Sequence, residues 1–358
     1  MLRPPSLRLS GLREALCLAL ALVAAGCQCS SGSGGAIKLN GAGASFPAPL
    51  YSRWLHDYRR ASPTVQVNYQ SVGSGAGITQ ILQRTVDFGA SDAPMSDAEL
   101  KKATSPILHI PTALGAVVLT YNAPGIPSGL RMSPETLVKV LLGEVAAWDH
   151  PALAAENPGT TLPSLPMTVV YRTDGSGTTA VFTDYLGKVS PVWKDRVGVG
   201  KAVKWPVGTG GKGNEGVMGH VKNTPGAIGY VELEYASRAG MPMVTLKNRH
   251  GDWVAPETAG VTAAAAGATI PDDFRVSITD SPALGAWPIA AFTYILIYAE
   301  HADAVRGKAL ARFLWWAVSE GQVSAAKMNY GRLPDALIAR VKERLGELTA
   351  GGQKAMDP

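Results

Sequence analysis

Two spacings of apolar residues alternate along the chain beyond its first 35 positions. In "VQVNYQ" (65–70) apolar and polar residues alternate as in a half-buried strand, whereas Leu50, Trp54 and Tyr58 are spaced as on one face of a helix. A glycine-rich turn lies between each such strand and the helix that follows it. The pattern predicts repeated strand–turn–helix units, which are typical of α/β proteins.

Later segments continue this alternation. Apolar runs at 116–122, 167–172 and 226–232 predict strands, with helical spacing between them. The run "PIAAFTYILIY" (288–298) is apolar on both faces, as in a central strand. The alanine-rich "AGVTAAAAGAT" (259–269) is instead predicted to be a surface connection. Together the segments predict an α/β fold with mixed or parallel sheets flanked by helices.

The first residues have the plan of a secretory leader. Three arginines precede the apolar run "ALCLALALVAAG", which at 12 residues is shorter than the roughly 20 that span a bilayer. The junction "LVAAGC" resembles a bacterial lipobox, in which Cys27 becomes the acylated first residue; plain secretory cleavage near "VAA" is the alternative. We therefore predict a signal peptide over 1–26 and a lipid-anchored tether over 27–35, and a periplasmic or cell-envelope location.

Length and composition set the broad class. A chain of 358 residues with 46% hydrophobic and 17% charged residues is typical of a globular protein of about two domains. Beyond Cys29 there is no cysteine, so the fold needs no disulfide; Cys29 itself is a free thiol or a second modification site. The net charge is +5, and because the first 26 residues hold three arginines and one glutamate, the remainder is +3. This mild excess favours an anionic partner, without the basic stripe that nucleic acids require.

Three glycine-rich turns share one plan. They are "GAGASF" (41–46), "GSGAG" (73–77) and "DGSGTT" (174–179), and each precedes a predicted helix. A helix N-terminus carries unpaired N–H groups and partial positive charge, and glycine lets the backbone approach a ligand closely, so each turn is a candidate anion seat. The simpler alternative for each is a serine that caps its helix. The hydroxyl residues of the three turns are Ser45, Ser74, Ser176 and Thr178.

Three charged residues extend this pattern. Arg172 precedes the third turn and could grip two oxygens of a tetrahedral oxyanion, while Asp174 could orient its guanidinium. Asp92, in "FGASDAP", would repel an anion unless that anion brings a proton. Phosphate keeps at least one proton at neutral pH and sulfate keeps none, so Asp92 is predicted to select phosphate. The alternatives are a surface ion pair for Asp174 and a turn or cap role for Asp92.

Enzymatic and nucleotide-binding functions lack their motifs. The stretch "DGSGT" is not the nucleophile elbow G-x-S-x-G, and "SAAK" (324–327) has none of the partner motifs of S-x-x-K enzymes. The six histidines are scattered without metal-ligand spacing. In "GTGGKGNEG" (208–216) no Ser or Thr follows Lys212, which is better interpreted as a solvated or cleft-edge lysine than as a P-loop lysine. A phosphate-ester hydrolase that uses Ser176 remains the alternative function.

Six segments carry a resemblance to a known family. They are "GAGASFPAPLY", "NYQSVGSGAG", "TVDFGASDAPMSD", "YRTDGSGTTAVFTDYL", "VKWPVGTGGKGNEGV" and "PGAIGYVE". In order and spacing they closely resemble the phosphate-binding proteins of bacterial high-affinity phosphate ABC transporters, the PstS type, over about residues 38–345. Departures are small: Ser45 stands where some members have threonine, and Ala76 where others have serine or glycine.

The resemblance implies a two-lobed periplasmic-binding-protein fold of type II with two hinge strands. Lobe 1 would span 36–116 and 290–350, and lobe 2 would span 117–289. One phosphate would be bound between the lobes without metal or cofactor and delivered to the permease subunits of the importer. The protein would be no enzyme, and would act as a monomer.

The resemblance also assigns the binding residues. Phe46 would donate its backbone N–H, Asp92 would accept the ligand proton, and Asp174 would pair with Arg172 from the second shell. The implied phosphate contacts are Ser45, Phe46, Ser74, Asp92, Arg172, Ser176, Gly177 and Thr178.

Overall fold

The computed structural model describes Met1 and residues 36–356, so the predicted signal peptide beyond Met1 and the whole predicted tether, with Cys27, lie outside the described residues. Within the described range the strands are β1 (Ile37–Gly43), β2 (Val65–Ser71), β3 (Phe88–Ser91), β4 (Ile107–Tyr121), β5 (Arg131–Met132), β6 (Thr168–Arg172), β7 (Thr209–Gly211), β8 (Ala227–Glu232), β9 (Thr245–Lys247), β10 (Trp253–Val254), β11 (Ala290–Tyr298), β12 (Glu300–His301), β13 (Thr349–Ala350) and β14 (Gln353–Lys354).

The helices lie between these strands or follow them. They are α1 (Ala48–Ala61), α2 (Ser74–Leu82), α3 (Asp97–Leu100), α4 (Pro134–Leu141), α5 (Pro151–Glu156), α6 (Gly177–Val189), α7 (Pro191–Arg196), α8 (Gly213–Asn223), α9 (Leu233–Ala239), α10 (Thr258–Ala266), α11 (Ala304–Val318), α12 (Gln322–Lys327) and α13 (Asp335–Leu345). Among residues 36–356, no helix combines the length and apolar character that a membrane crossing requires.

The main sheet has eight strands in the order β2-β1-β3-β11-β4-β8-β6-β7. The first strand set, β1, β2 and β3, is parallel, and so is the second strand set, β6, β7 and β8. Two antiparallel strands, β11 and β4, run between the sets. The sheet is therefore mixed, as the alternation of strands and helices predicts.

Strand β4 joins the two strand sets because it is 15 residues long and buried throughout. Its first part pairs with β11 up to the Ala116–Ala290 pair, and its last part pairs with β8 from Val117 onward. Apolar residues on both faces allow this, since a strand covered on both sides exposes neither face to water. The sequence predicted only the part of β4 that begins at residue 116.

The carboxyl ends of the two strand sets face each other across the middle of β4. Ser91, the last residue of β3, pairs with Tyr294, which pairs with Pro111 of β4. Glu232, the last residue of β8, pairs with Val117 from the opposite direction. Turns that follow parallel strands at their carboxyl ends are where α/β folds bind ligands. The topology thus directs the turns of both sets toward one region.

Helix α1 illustrates how the sequence encodes its neighbours. Pro49 lies in its first turn, where the missing N–H costs no hydrogen bond, and Leu50, Trp54 and Tyr58 form its buried face. The Trp54 indole also donates a 2.8 Å hydrogen bond to the carbonyl of Gly321. This hydrogen bond holds helix α1 against the turn between α11 and α12.

The prediction for residues 259–269 is wrong. They lie largely in helix α10, which packs on β4 and β11 and buries Val261, Ala264 and Ala265. Gly260 lies so close to Trp287 that an added Cβ would lie 3.1 Å from the backbone nitrogen of Trp287. Small residues here let the helix approach the sheet closely, so the alanine run marks a tight contact.

Candidate anion-binding site

The first two glycine turns are joined through Gly43. Its carbonyl accepts hydrogen bonds from the backbone N–H groups of Val72 (2.9 Å) and Gly73 (2.8 Å). Gly43 has φ of +151°, and a Cβ there would run into the backbone of Ala90, so only glycine fits. This contact holds the turn after β1 beside the turn after β2.

These turns bury the predicted residues of the first strand set. Ser45, Phe46 and Ser74 are each almost completely inaccessible to solvent. Ser74 is the first residue of α2 and its Oγ accepts a hydrogen bond from the Asp92 N–H at 3.4 Å. Neither Ser45 nor Ser74 caps a helix with its side chain, in contrast to the simpler alternative.

The third turn holds Arg172 in a fixed orientation. Asp174 accepts hydrogen bonds from Arg172 Nε at 2.8 Å and from Nη2 at 2.5 Å, and it also accepts the Gly213 N–H at 3.0 Å. Arg172 Nη1 donates to Thr178 Oγ1 at 3.3 Å. Of the five guanidinium N–H groups, one on each terminal nitrogen has no partner within residues 36–356, and this pair suits bidentate contact with an oxyanion.

The Arg172–Asp174 pair is not the surface ion pair of the alternative interpretation, because the two side chains are only 1% and 11% exposed. Burial by itself would lower the pKa of Arg172, but the hydrogen bonds and charge of Asp174 outweigh it and raise that pKa. Burial likewise opposes ionisation of Asp174, yet hydrogen bonds from Arg172 and Gly213 leave its pKa lowered. Both groups are therefore charged at neutral pH, and their charges cancel.

Asp92 follows β3 directly and is buried. Its Oδ1 accepts a 3.0 Å hydrogen bond from Thr293, and its Oδ2 lies 3.5 Å from Thr178 Oγ1. Burial raises the pKa of Asp92 to about 7, although the hydrogen bonds from Thr293 and Thr178 and the charge of Arg172 oppose the shift. A carboxylate that is so poorly solvated gains from any proton donor brought to it.

The turns of the two strand sets touch each other. Gly75 donates its N–H to the carbonyl of Gly175 at 2.7 Å, and a Cβ on Gly177 would lie 2.6 Å from Asp92 Oδ2 and closer still to Ser74 Oγ. All eight predicted phosphate contacts therefore lie in these turns or at the strand and helix ends beside them, near the middle of β4. Ser176 also does what the simpler interpretation says, since its Oγ accepts the Thr179 N–H at 3.0 Å as a helix cap.

Two side chains at the site were not predicted. Asn214, the second residue of α8, donates through Nδ2 to Ser45 Oγ (2.9 Å) and Thr178 Oγ1 (3.2 Å). Thr293 supports Asp92 from β11, where the pairing with β4 shifts register between Thr293 and Tyr294. Such a bulge redirects a side chain out of the regular ladder. Lys212, by contrast, is exposed, as predicted.

Replacing Gly177 with alanine tests whether these turns enclose a ligand. The new methyl group would collide with Ser74 Oγ and Asp92 Oδ2. Overpacking costs about 1–3 kcal/mol, so we expect roughly 5- to 150-fold weaker binding of the anion, measured by calorimetry. The control is Gly219→Ala in α8, where a Cβ meets nothing within 4 Å. Equal affinity of both variants would show that Gly177 does not line the binding site.

Sequence comparisons identify the family. Residues 30–320 match the family described as PBP superfamily domain. The phosphate-binding protein PstS of Xylella fastidiosa is 43% identical to this chain over 309 residues, which cover 86% of this chain and 84% of the relative. The chain belongs to the PstS family within the PBP superfamily.

Two solved structures are similar to this chain in fold. The periplasmic phosphate-binding protein PfluDING, solved with phosphate, superposes with a TM-score of 0.72 at 22% identity and covers 88% of this chain and 97% of its own. A Clostridium perfringens protein assigned as a phosphate ABC transporter substrate-binding protein, with bound phosphate, gives a TM-score of 0.62 at 14% identity, covering 83% and 100%. The predicted two-lobed α/β fold and the resemblance on which it rested are confirmed.

Proposed function

We propose that this chain is the extracytoplasmic substrate-binding component of a phosphate ABC importer. It binds one inorganic phosphate between its two lobes, as a monomer and without metal or cofactor, and delivers it to the membrane permease. No covalent step is involved. The named relatives bind phosphate, and the proposal transfers this ligand to the present chain on the chemistry of its own site.

The observation that carries the proposal is the position of Asp92 among hydrogen-bond donors. Its carboxylate is buried, and around it lie hydroxyl groups, backbone N–H groups and the guanidinium of Arg172. Monoprotonated phosphate has one oxygen that donates and three that accept. A site with one acceptor and many donors matches that distribution, whereas sulfate would leave the carboxylate facing an oxygen without a proton.

Each element of the site has a role in this binding. Arg172 contributes the two free N–H groups of its terminal nitrogens, and helices α2 and α6 direct the N–H groups of their first turns toward the anion. The hydroxyls of Ser45, Ser74, Ser176 and Thr178 donate to the remaining lone pairs. Because Arg172 and Asp174 cancel, the dianion is held by dipoles and one fixed guanidinium in a dry pocket.

Closure of the lobes completes the site. We place lobe 1 at 36–116 and 290–350 and lobe 2 at 117–289, with β4 and the segment that enters β11 as the hinges. At the rim Lys201 Nζ contacts both carboxylate oxygens of Glu99, at 2.9 and 3.0 Å, and so joins the proposed lobes. The Tyr235 hydroxyl donates to the Ser45 carbonyl at 2.7 Å across the same cleft.

Hydrolysis of a phosphate ester by Ser176 is the weaker alternative. A serine nucleophile needs a base in hydrogen-bond contact with its hydroxyl. Within residues 36–356 the contact of Ser176 Oγ is with the Thr179 N–H, which leaves the oxygen serving as an acceptor at a helix end. Release of nitrophenol from 4-nitrophenyl phosphate by the purified chain would favour the hydrolase.

Calorimetric titration of the purified chain tests the central proposal. Phosphate is expected to bind with one site per chain, and sulfate at the same concentrations is expected to give no saturable heat. The physical reason is the unpaired Asp92 carboxylate that sulfate would meet. Saturation by sulfate with comparable affinity, or absence of phosphate binding, would refute the proposal.

The membrane attachment and the delivery step need separate tests. Mass spectrometry of the mature N-terminus distinguishes a diacylated Cys27 from a leader cleaved without acylation. Uptake of labelled phosphate at low external concentration should be lost when the gene is deleted. Unchanged uptake in the deletion strain would contradict the delivery role.

A further inference from the structure

Asn214 lies between two hydroxyls that the proposed function assigns to phosphate. It is the second residue of α8 and is completely buried. Its side chain reaches Ser45, in the turn after β1, and Thr178, in the first turn of α6. It therefore contacts hydrogen-bonding groups from both sides of the cleft.

The hydroxyl of Ser45 is used as an acceptor twice. Its Oγ accepts the backbone N–H of Asn214 at 3.1 Å and the side-chain Nδ2 of Asn214 at 2.9 Å. A hydroxyl has two lone pairs and one hydrogen, so both of its acceptor positions are filled. The hydrogen of Ser45 is the part that remains available to a ligand oxygen.

The hydroxyl of Thr178 likewise accepts two hydrogen bonds. Its Oγ1 accepts from Arg172 Nη1 at 3.3 Å and from Asn214 Nδ2 at 3.2 Å. The only contact to which it donates within the described residues is Asp92 Oδ2, at the long distance of 3.5 Å. A ligand that supplies its own proton to Asp92 frees this hydroxyl to donate to another ligand oxygen.

The amide of Asn214 cannot turn around without loss. Its Oδ1 accepts the backbone N–H of Glu232 at 3.0 Å, at the end of β8. A flipped amide would place an NH₂ group against that N–H and leave a buried donor unpaired. The main chain of β8 thus fixes the NH₂ group on the side of Ser45 and Thr178.

We propose that Asn214 is a positioning residue that compels the Ser45 and Thr178 hydroxyls to act as donors, leaving Asp92 as the one acceptor for the ligand. This inference rests on the proposed function and deepens it. Without Asn214 either hydroxyl could rotate and accept a proton, so the site would also suit a phosphate that carries a second proton. Asn214 therefore sharpens the selection for the monoprotonated form.

The test compares Asn214→Ala with the original chain by calorimetric titration of phosphate, on both sides of the pH at which phosphate takes up its second proton, at about pH 8.5 and about pH 5.5. At the higher pH the variant is expected to bind at least ~10-fold more weakly, because two donors are no longer oriented. At the lower pH, where diprotonated phosphate predominates, the deficit is expected to narrow by ~3-fold or more, since the freed hydroxyls accept the second proton.

Matched variants separate positioning from folding. Asn223→Ala, at the exposed end of the same helix, should leave affinity unchanged at both pH values. Asn214→Ser, which also lacks the NH₂ group but keeps a polar side chain, replaces the alanine variant if that variant does not fold. If Asn214→Ala binds phosphate as tightly as the original chain, or more weakly by the same factor at both pH values, the positioning role of Asn214 is wrong while the proposed function stands. Absence of phosphate binding by the original chain overturns the proposed function.

Discussion

Replacing Arg172 with alanine is expected to abolish measurable phosphate binding. Among the described residues, the guanidinium is the one formal positive charge held inside the cluster of turns, and the contacts of Asp174 and Thr178 orient its two remaining N–H groups. Losing one partner of a buried, hydrogen-bonded charge pair costs about 2–5 kcal/mol, or at least ~30-fold in Kd. Because the substitution also leaves Asp174 unpaired and negative beside the ligand, the effect should lie at the upper end of that range.

The measurement is a phosphate titration accompanied by a thermal melt. The double variant Arg172→Ala/Asp174→Asn also removes the unpaired carboxylate. It should still bind phosphate too weakly to measure, even if its melting temperature equals that of the original chain. Arg53→Ala, which breaks an exposed 2.7 Å ion pair with Asp57 on α1, is the control and should bind normally. Near-original affinity of either Arg172 variant would remove Arg172 from the proposed site.

The glycine turns could be predicted from sequence because their information is local. Glycines and hydroxyl residues at the end of an apolar strand specify a strand–turn–helix unit whatever the rest of the chain does. Helices α2 and α6 accordingly begin at Ser74 and Gly177, within the predicted turns. That the turns meet one another depends on the course of β4, which local patterns do not report. Their roles in binding phosphate remain predictions.

Asn214 and Thr293 were missed for different reasons. Asn214 lies in "GTGGKGNEG", a fourth glycine-rich stretch at the start of a helix, which was compared with nucleotide motifs and with the family but not with the other three turns. Comparison with the other three turns would have found it. Thr293 is the one residue with an aliphatic hydroxyl in the buried strand "AAFTYILIY". A lone polar residue in such a strand needs a partner, but the partner could not be named without the register shift beside it.

Helix α10 and the first part of β4 were not predicted because their amino-acid composition is unusual for such elements. Helix α10 has few large side chains, yet alanine has the strongest helix propensity and lets a helix lie close to a sheet. The first part of β4 contains His109 and Pro111, which argue against a central strand. Pro111 lies where the pairing with β11 changes register, and His109 accepts the Met95 N–H at 3.0 Å, so both are accommodated by their surroundings.

Replacing Asp92 with asparagine is expected to relax the rejection of sulfate. Thr293 donates to Oδ1 at 3.0 Å, so the amide oxygen should occupy that position and the NH₂ group the position of Oδ2. The NH₂ group of the asparagine donates a hydrogen bond to a sulfate oxygen. The original carboxylate instead repels that oxygen, at a cost of several kcal/mol. The original site should prefer phosphate by about 10⁴-fold or more, and the variant should lose at least ~100-fold of that preference, mainly through tighter sulfate binding. Asp57→Asn, on the surface of α1, should retain the original preference.

The pH dependence of sulfate binding distinguishes this account from a change in pocket shape. Burial raises the pKa of Asp92 to about 7, so the carboxyl takes up a proton as the pH falls through that value. The protonated acid donates a hydrogen bond just as the asparagine does, so sulfate raises the pKa of Asp92 when it binds. The sulfate affinity of the original chain should therefore rise as the pH falls, by up to about tenfold per pH unit between the pKa of the sulfate-occupied site and the pKa of the empty site, and level off below the latter. In Asp92→Asn, which has no proton to gain at this position, the same titrations should give a nearly flat profile. A flat profile in the original chain, or a parallel rise in both proteins, would mean that the proton at Asp92 does not control the choice between the two anions.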